Sequence, residues 1–408
     1  MSSNVTSMTD QGSWRKPLLS RAGYGYLALF LAFASISTDL YLPAMPTMAD
    51  ALGTSEGTLE WTISGFLLGF ALGQLFWGPF SDQRGRRVPL AMGLILFIVG
   101  SVGCGLADYV GVLIAWRVVQ AVGASACVVI GRAIIADLFE GRQAARILSL
   151  LTAVMIIAPM LGPTIGAQIL AVASWRVVFL VLTLIGAATL AVLFRIVPES
   201  LPDHMRSAPG RIIEPGQFAV LLRNRAFSTY ALVNMCITAG VFAYVAGSAF
   251  FFITYQELSP EAFGLIFAAG ALAIIIASIV NARLVPRFGT NRMLLVGIVL
   301  ALLATSSLLT MVWLDASVYL MIASIVGFNG ATGFISANAI AGGLSMVSEG
   351  RGRASALLGA SQYGGGVIGS AVLGLISNGT MYPLAIVLVV SSIAGLILAL
   401  QLRSVVDA

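Results

Sequence analysis

Gly78-Pro79-Phe80-Ser81-Asp82-Gln83-Arg84-Gly85-Arg86-Arg87 is a short charged stretch between two apolar runs, and its reading decides the fold. Gly85 permits a tight turn, while Asp82 can cap a helix start or pair with arginines of facing helices. A degraded copy, Val285-Pro286-Arg287-Phe288-Gly289-Thr290-Asn291-Arg292, follows another apolar run. Its glycine stands 204 positions after Gly85, half of the 408-residue chain. The chain is therefore read as two halves of like design, related by a pseudo-two-fold axis.

The solvent of those halves follows from composition. The chain is 59% hydrophobic and only 10% charged, against about 25% charged for a soluble domain. So little charge cannot cover a water-facing surface, so lipid is the main solvent. The net charge of +5 does not point to nucleic acid, because the basic residues sit scattered at the ends of apolar runs. Cys104, Cys127 and Cys236 lie inside apolar runs and give no disulfide framework. His204 is the only histidine and has no ligand cluster near it in sequence, which speaks against a zinc site or a histidine-dependent triad.

A helix needs about 20 apolar residues to cross a bilayer. The chain offers twelve such runs, at 22–44, 59–79, 89–107, 111–132, 144–169, 175–197, 227–254, 262–284, 292–312, 317–340, 352–375 and 381–402. The expected organisation is a tail at 1–21, a six-helix bundle at 22–197, a Pro-containing linker at 198–226, a second bundle at 227–402 and a tail at 403–408. If the first tail is inside, the inner loops collect Arg15, Lys16, Arg21, Arg142, Arg146, Arg211 and most other arginines, with Arg176 the outer exception. Asp50, Glu56, Asp108, Glu257, Glu261 and Asp315 fall in outer loops. That bias places both termini in the cytoplasm. The first apolar run is too long for a cleaved signal and reads as an uncleaved anchor.

The Gly78–Arg87 stretch resembles the major facilitator signature Gly-x-x-x-Asp-Arg-x-Gly-Arg-Arg, with Gln83 in place of the usual arginine. The resemblance implies a conformational latch formed by Gly78, Asp82, Arg84, Gly85, Arg86 and Arg87, weaker in the second copy where Pro286 replaces the acid. Ala158-Pro159-Met160-Leu161-Gly162-Pro163-Thr164-Ile165-Gly166-Ala167 looks like the Gly-Pro signature of drug:proton antiporters, carried here by Pro159, Gly162, Pro163 and Gly166. Prolines remove helix hydrogen bonds and small residues let helices approach, so a bend and a close contact are expected there. Thr38-Asp39-Leu40-Tyr41-Leu42-Pro43-Ala44 resembles the bicyclomycin-resistance (Bcr/CflA) group, and Arg117 through Gly123 resembles a further family segment. The resemblance implies an all-α membrane protein of twelve transmembrane helices in two pseudo-symmetric six-helix bundles, exporting small, partly apolar molecules. It also implies a bacterial inner-membrane location, a monomer, no cofactor, and the proton gradient as driving force.

Asp39 and Arg117 are the charged residues most clearly within apolar runs, where each costs about 2.5–3.5 kcal/mol at mid-bilayer. Counting from the span centres places both some 6–9 Å outward, at about 1.5 Å per residue. Desolvation favours a protonated carboxyl and a nearby guanidinium favours the carboxylate. An acid poised between the two can hold a proton in one conformation and lose it in another. Asp39 is thus the candidate proton carrier, with Arg117 tuning it; the alternative is a static structural pair. Gln120, Asn234 and Asn338 either line a cavity or bond across helices. Tyr41, Phe242, Tyr244 and Tyr363 either stack on an aromatic ligand or pack. The rival functions are an uptake symporter of the same fold, against which the Gly-Pro signature speaks, and a membrane enzyme, for which no metal-ligand spacing or nucleotide loop is present.

Overall fold

The computed structural model describes residues 21–138, 159–202, 206, 220–347 and 351–406. The first tail, the opening of the fifth run with Arg142 and Arg146, and most of the linker with His204 and Arg211 lie outside them.

Among the described residues twelve long or membrane-facing helices follow the twelve apolar runs. The first half comprises α1 (Arg21–Asp39, extended by a 3-10 turn at Leu42–Ala44 and a short helix at Met45–Ala51), α2 (Glu56–Arg84), α3 (Arg87–Gly105), α4 (Val110–Leu138), α5 (Pro159–Val172) and α6 (Trp175–Ile196). The second comprises α7 (Arg225–Ala249, continued by a π turn at Phe250–Tyr255), α8 (Pro260–Phe288), α9 (Thr290–Trp313), α10 (Val318–Ser345), α11 (Arg351–Ile376) and α12 (Tyr382–Val406). Ten of these meet the length and apolarity of a membrane span among the described residues. Their outward faces carry bare aliphatic side chains such as Leu72, Leu184, Leu265 and Leu303, a surface that water would penalise and lipid tails do not.

The internal repeat is sharper in the backbone than in the sequence. Helices α2 and α8 are each 29 residues long. Each begins at a serine cap: the Ser55 hydroxyl accepts from the Thr58 amide and the Ser259 hydroxyl from the Ala262 amide, both at 3.2 Å. Each ends at a glycine with positive φ, Gly85 at 83° and Gly289 at 81°. Both the caps and the glycines keep the 204-residue offset.

Two expectations need correction. The stretch Gly78–Arg87 is not an open loop: Gly78, Asp82 and Arg84 lie in the last turns of α2, and only Gly85 and Arg86 lie between the helices. The first span is not one continuous helix either. It ends at Asp39 and resumes after a turn, because Pro43 has no amide to continue the ladder.

The halves meet along α2 and α11, which run antiparallel in the half of the molecule away from the chain termini. A Cβ on Gly57 would stand 2.4 Å from the Gly374 carbonyl. Deeper along the seam, Ser64 hydrogen-bonds Ser370 at 2.8 Å, and Phe70 packs on Tyr363 with ring centroids 4.8 Å apart. On a neighbouring face, Gly264 of α8 lies against Thr164 of α5. The end opposite the termini is therefore closed by contacts between the halves, and the conformation is closed on that side.

The two turn glycines separate backbone strain from crowding. Backbone near φ +80° with extended ψ is a region essentially reserved for glycine, and another residue there costs on the order of 1–3 kcal/mol. Gly289 faces open space, whereas a Cβ at Gly85 would stand 2.7 Å from Glu199 Oε2. We expect thermal unfolding in detergent to show a modest loss for Gly289→Ala and a larger one for Gly85→Ala.

Candidate functional site

The break in α1 builds the site. With the helix ended at Asp39, the Ser37 carbonyl accepts a hydrogen bond from Arg117 Nη1 of α4 at 3.0 Å. A carbonyl released from a helix ladder inside a membrane must find a partner within the protein, and Arg117 supplies it. The guanidinium is itself held between two rings, with its carbon 4.3 Å from the centroids of both Tyr41 and Phe66. Its Nη1 also donates to Gln120 Oε1, and Gln120 Nε2 donates to Ser101 Oγ at 2.7 Å. Among the described residues Nε and Nη2 have no hydrogen-bond partner, so ring faces take up the rest of the charge.

The same break presents Asp39 to a cavity. The Asp39 carboxylate is 5% exposed and accepts from Thr38 Oγ1 at 3.0 Å. That hydroxyl also reaches the carbonyls of Ala34 and Ser35 at 3.0 and 3.2 Å. One hydroxyl proton cannot serve three acceptors at once, so Asp39 is weakly solvated. Helix α5 closes over it. A Cβ on Gly162 would lie 2.7 Å from the Asp39 Cβ, and one on Gly166 would overlap the Leu40 carbonyl at 2.0 Å. Only glycine lets α5 lie against the broken strand of α1, which gives the Gly-Pro signature its physical meaning here.

The cavity lies between the halves, beneath the closed seam, with a volume of about 200 Å³. The first half contributes Asp39, Phe66, Phe70 and Pro159, and the second contributes Phe242, Tyr244, Phe267, Asn329 and Tyr363. Asp39 is the one ionisable carboxyl in that lining among the described residues.

The other candidates divide cleanly. Phe242, Tyr244 and Tyr363 line the cavity. Tyr41 does not; its hydroxyl lies 3.0 Å from Thr62 Oγ1 and its ring supports Arg117. Arg117 and Gln120 are fully buried behind the wall, and no ion pair joins Arg117 to Asp39 among the described residues. Asn338 donates to Asn281 Oδ1 at 2.8 Å, joining α10 to α8. Asn234 is buried with neither side-chain polar atom partnered among the described residues, away from the cavity lining. Phe66, Phe70 and Phe267 were not singled out in the sequence, where nothing distinguishes an apolar residue facing a cavity from one facing a helix; Asn329, a polar residue in an apolar run, carried a signal and was missed.

The signature stretch forms a polar cluster inside the first half. Arg86 pairs with Asp82 at 2.6 Å and with Asp137 of α4 at 2.9 Å, and donates to Ser81 Oγ at 2.8 Å. Burial works against its charge, but its bonds to Asp137 and Asp82 outweigh that and hold the proton more tightly than usual. Glu199 accepts from the amides of Arg86, Arg87 and Leu201 at 2.7, 3.2 and 3.2 Å. Arg87 donates to the Phe194 carbonyl and lies over the Phe194 ring. The cluster ties the α2–α3 turn to α4 and to the segment after α6; Asp137 and Glu199 carry it, and the sequence assigned neither to a site.

Residues 26–345 and 256–407 match the Major Facilitator Superfamily. The chain belongs to that superfamily. It is 31% identical to the uncharacterized MFS-type transporter YdgK of Bacillus subtilis (strain 168), over 90% of this chain and 92% of that one. It is 30% identical to a chloramphenicol resistance protein of Pseudomonas aeruginosa, over 92% and 88%, and 28% identical to a bicyclomycin resistance protein homolog of Haemophilus influenzae, over 88% and 90%. Its fold is that of the nucleoside transporter NupG, with a TM-score of 0.77 over 96% of this chain and 99% of that one at 12% identity. The superfamily member is an all-α membrane transporter of two six-helix halves, not an enzyme, and two of the relatives above are named for antibiotic resistance.

Arg117 serves geometry as well as charge, and lysine separates the two. Arg117→Lys keeps the charge but loses the planar fork and the double ring contact. We expect it to cost about 2 kcal/mol of stability in detergent denaturation and to depress transport in proteoliposomes.

Proposed function

We propose that this transporter exports small, partly apolar molecules in exchange for protons, by alternating access between the closed-seam state described above and one parted along that seam. The observation that carries the reading is the cavity: apolar and aromatic walls drawn from both halves around one carboxyl, Asp39. Such walls suit a ligand with apolar area and one polar or cationic group. Asp39, facing the cavity and packed beneath α5, is the proton carrier; protonation and ligand binding compete at the same oxygen atoms. Arg117 acts on Asp39 by holding the break in α1 rather than by pairing with it.

The arginine bias supports a bacterial inner membrane with both termini cytoplasmic. In that orientation the closed seam faces outward and the cavity belongs to an inward-facing state. The Arg86 cluster, lying wholly within the first half here, keeps that half rigid while the halves rock. The proton gradient is the energy source, the working unit is one chain divided at the 198–226 linker, and the relatives' names make chloramphenicol and bicyclomycin suitable first probes.

Inverted vesicles with an acidic lumen should accumulate labelled chloramphenicol through the wild-type protein, whereas an uptake symporter would expel it from the lumen. Asp39→Asn should insert normally yet lose at least about tenfold of the proton-driven flux, the equivalent of about 1.4 kcal/mol. Undiminished accumulation by that variant would remove Asp39 from the mechanism.

A further inference from the structure

A second acid lies in the closed seam, and the cavity does not use it. Glu60, one turn into α2, is 2% exposed, and its Oε2 has no hydrogen-bond partner among the described residues. It is set between the two places where α2 meets α11 most closely, the Gly57–Gly374 backbone contact and the Ser64–Ser370 hydrogen bond. From the other half, Gly247 of α7 approaches so that its Cβ position lies 3.4 Å from Glu60 Oε1. Gly247, Phe251, Tyr255, Leu373 and Ser377 share a narrow crevice with it.

Among the described residues, the charges around Glu60 are all of one sign. Its own helix presents Glu56, whose carboxylate accepts a hydrogen bond from the Tyr255 hydroxyl across the seam. Asp50, in the extension of α1, lines the same outer recess as Glu56. From α7 the titratable neighbour is Tyr255; α11 and the start of α12 supply Leu373, Ser377, Thr380 and Leu384, none of which ionises. No described arginine pairs with Glu60.

We propose that Glu60 is a second proton-binding site, and that its protonation from the outer side closes the seam between the halves. An ionised carboxylate in that crevice would be buried without a cation and beside another acid, which is costly. A neutral carboxyl costs far less. When the halves part, water reaches the side chain and the proton can leave. The closed state therefore binds this proton more tightly than the open one, and by linkage the proton favours closure. Low outer pH then closes the seam and gives the cavity to the inner side. This rests on the alternating-access reading, but not on which group drives export.

Spin labels at Tyr109→Cys and Tyr319→Cys, both exposed at the seam end of their halves, report the opening in a background freed of Cys236. In the wild-type chain the distance distribution should shift from long to short as the pH falls. Glu60→Gln mimics the protonated acid, so it should hold the short distance at every pH with unreduced thermal stability. Glu60→Asp and Glu56→Gln should keep a pH response. A Glu60→Gln variant that still opens with rising pH, or a response lost in Glu56→Gln but kept in Glu60→Gln, overturns the proposal. Asp39→Asn should keep the response of the seam while losing export, so the two readings fail in different measurements.

Discussion

The site depends on one hydrogen bond, from Arg117 to the carbonyl of Ser37. In hydrocarbon an unpaired backbone carbonyl costs several kcal/mol, so a transmembrane helix cannot simply stop. Helix α1 can stop at Asp39 because a buried guanidinium takes the place of the amide that the Ser37 carbonyl lacks. Everything around that guanidinium serves to keep it there: two aromatic faces, the Gln120 carbonyl and, through Gln120, the hydroxyl of Ser101. Without the break, Asp39 would sit inside a regular helix and would not be presented by a chain end to the space between the halves.

The second constraint is close approach. Glycines of α5 let it lie on the broken segment, and glycines of α2 and α11 bring the halves together backbone to backbone. Small residues replace side-chain interlock with a smooth, shallow contact that can be parted without unpacking a core. The polar groups at the seam, Ser64 with Ser370 and Glu56 with Tyr255, find partners from the opposite half only while it is closed. At the other end the Arg86 cluster ties helices of one half together and leaves the other half free. Strong bonds within a half and light contact between halves are what rigid-body rocking requires.

The helices themselves were legible, because the length of apolar runs and the placement of arginines are local properties that lipid reads directly. The turn glycines were legible for a similar reason: Gly85 and Gly289 hold a backbone conformation that other residues avoid. The site was legible only in part. Asp39 stood out because an acid in an apolar run is conspicuous. Glu60 did not, since near the start of α2 it resembled the loop charges beside it, and only the packing of α7 and α11 buried it. Tyr41 and Gln120 resembled cavity residues but support Arg117, while Phe66 and Phe70 looked like packing and face the cavity.

By itself the sequence determined the solvent of this protein, its division into two equal halves, and the residues whose charge or backbone freedom is unusual. These follow from composition and short-range geometry, which need no partner. The tertiary structure alone decided which polar atoms meet and which face of each helix looks into the cavity. It also decided that Arg117 holds the break in α1 while Asp39 faces the ligand space. Along an apolar helix every face reads alike, and only the neighbours that cover some faces and leave others bare can tell them apart.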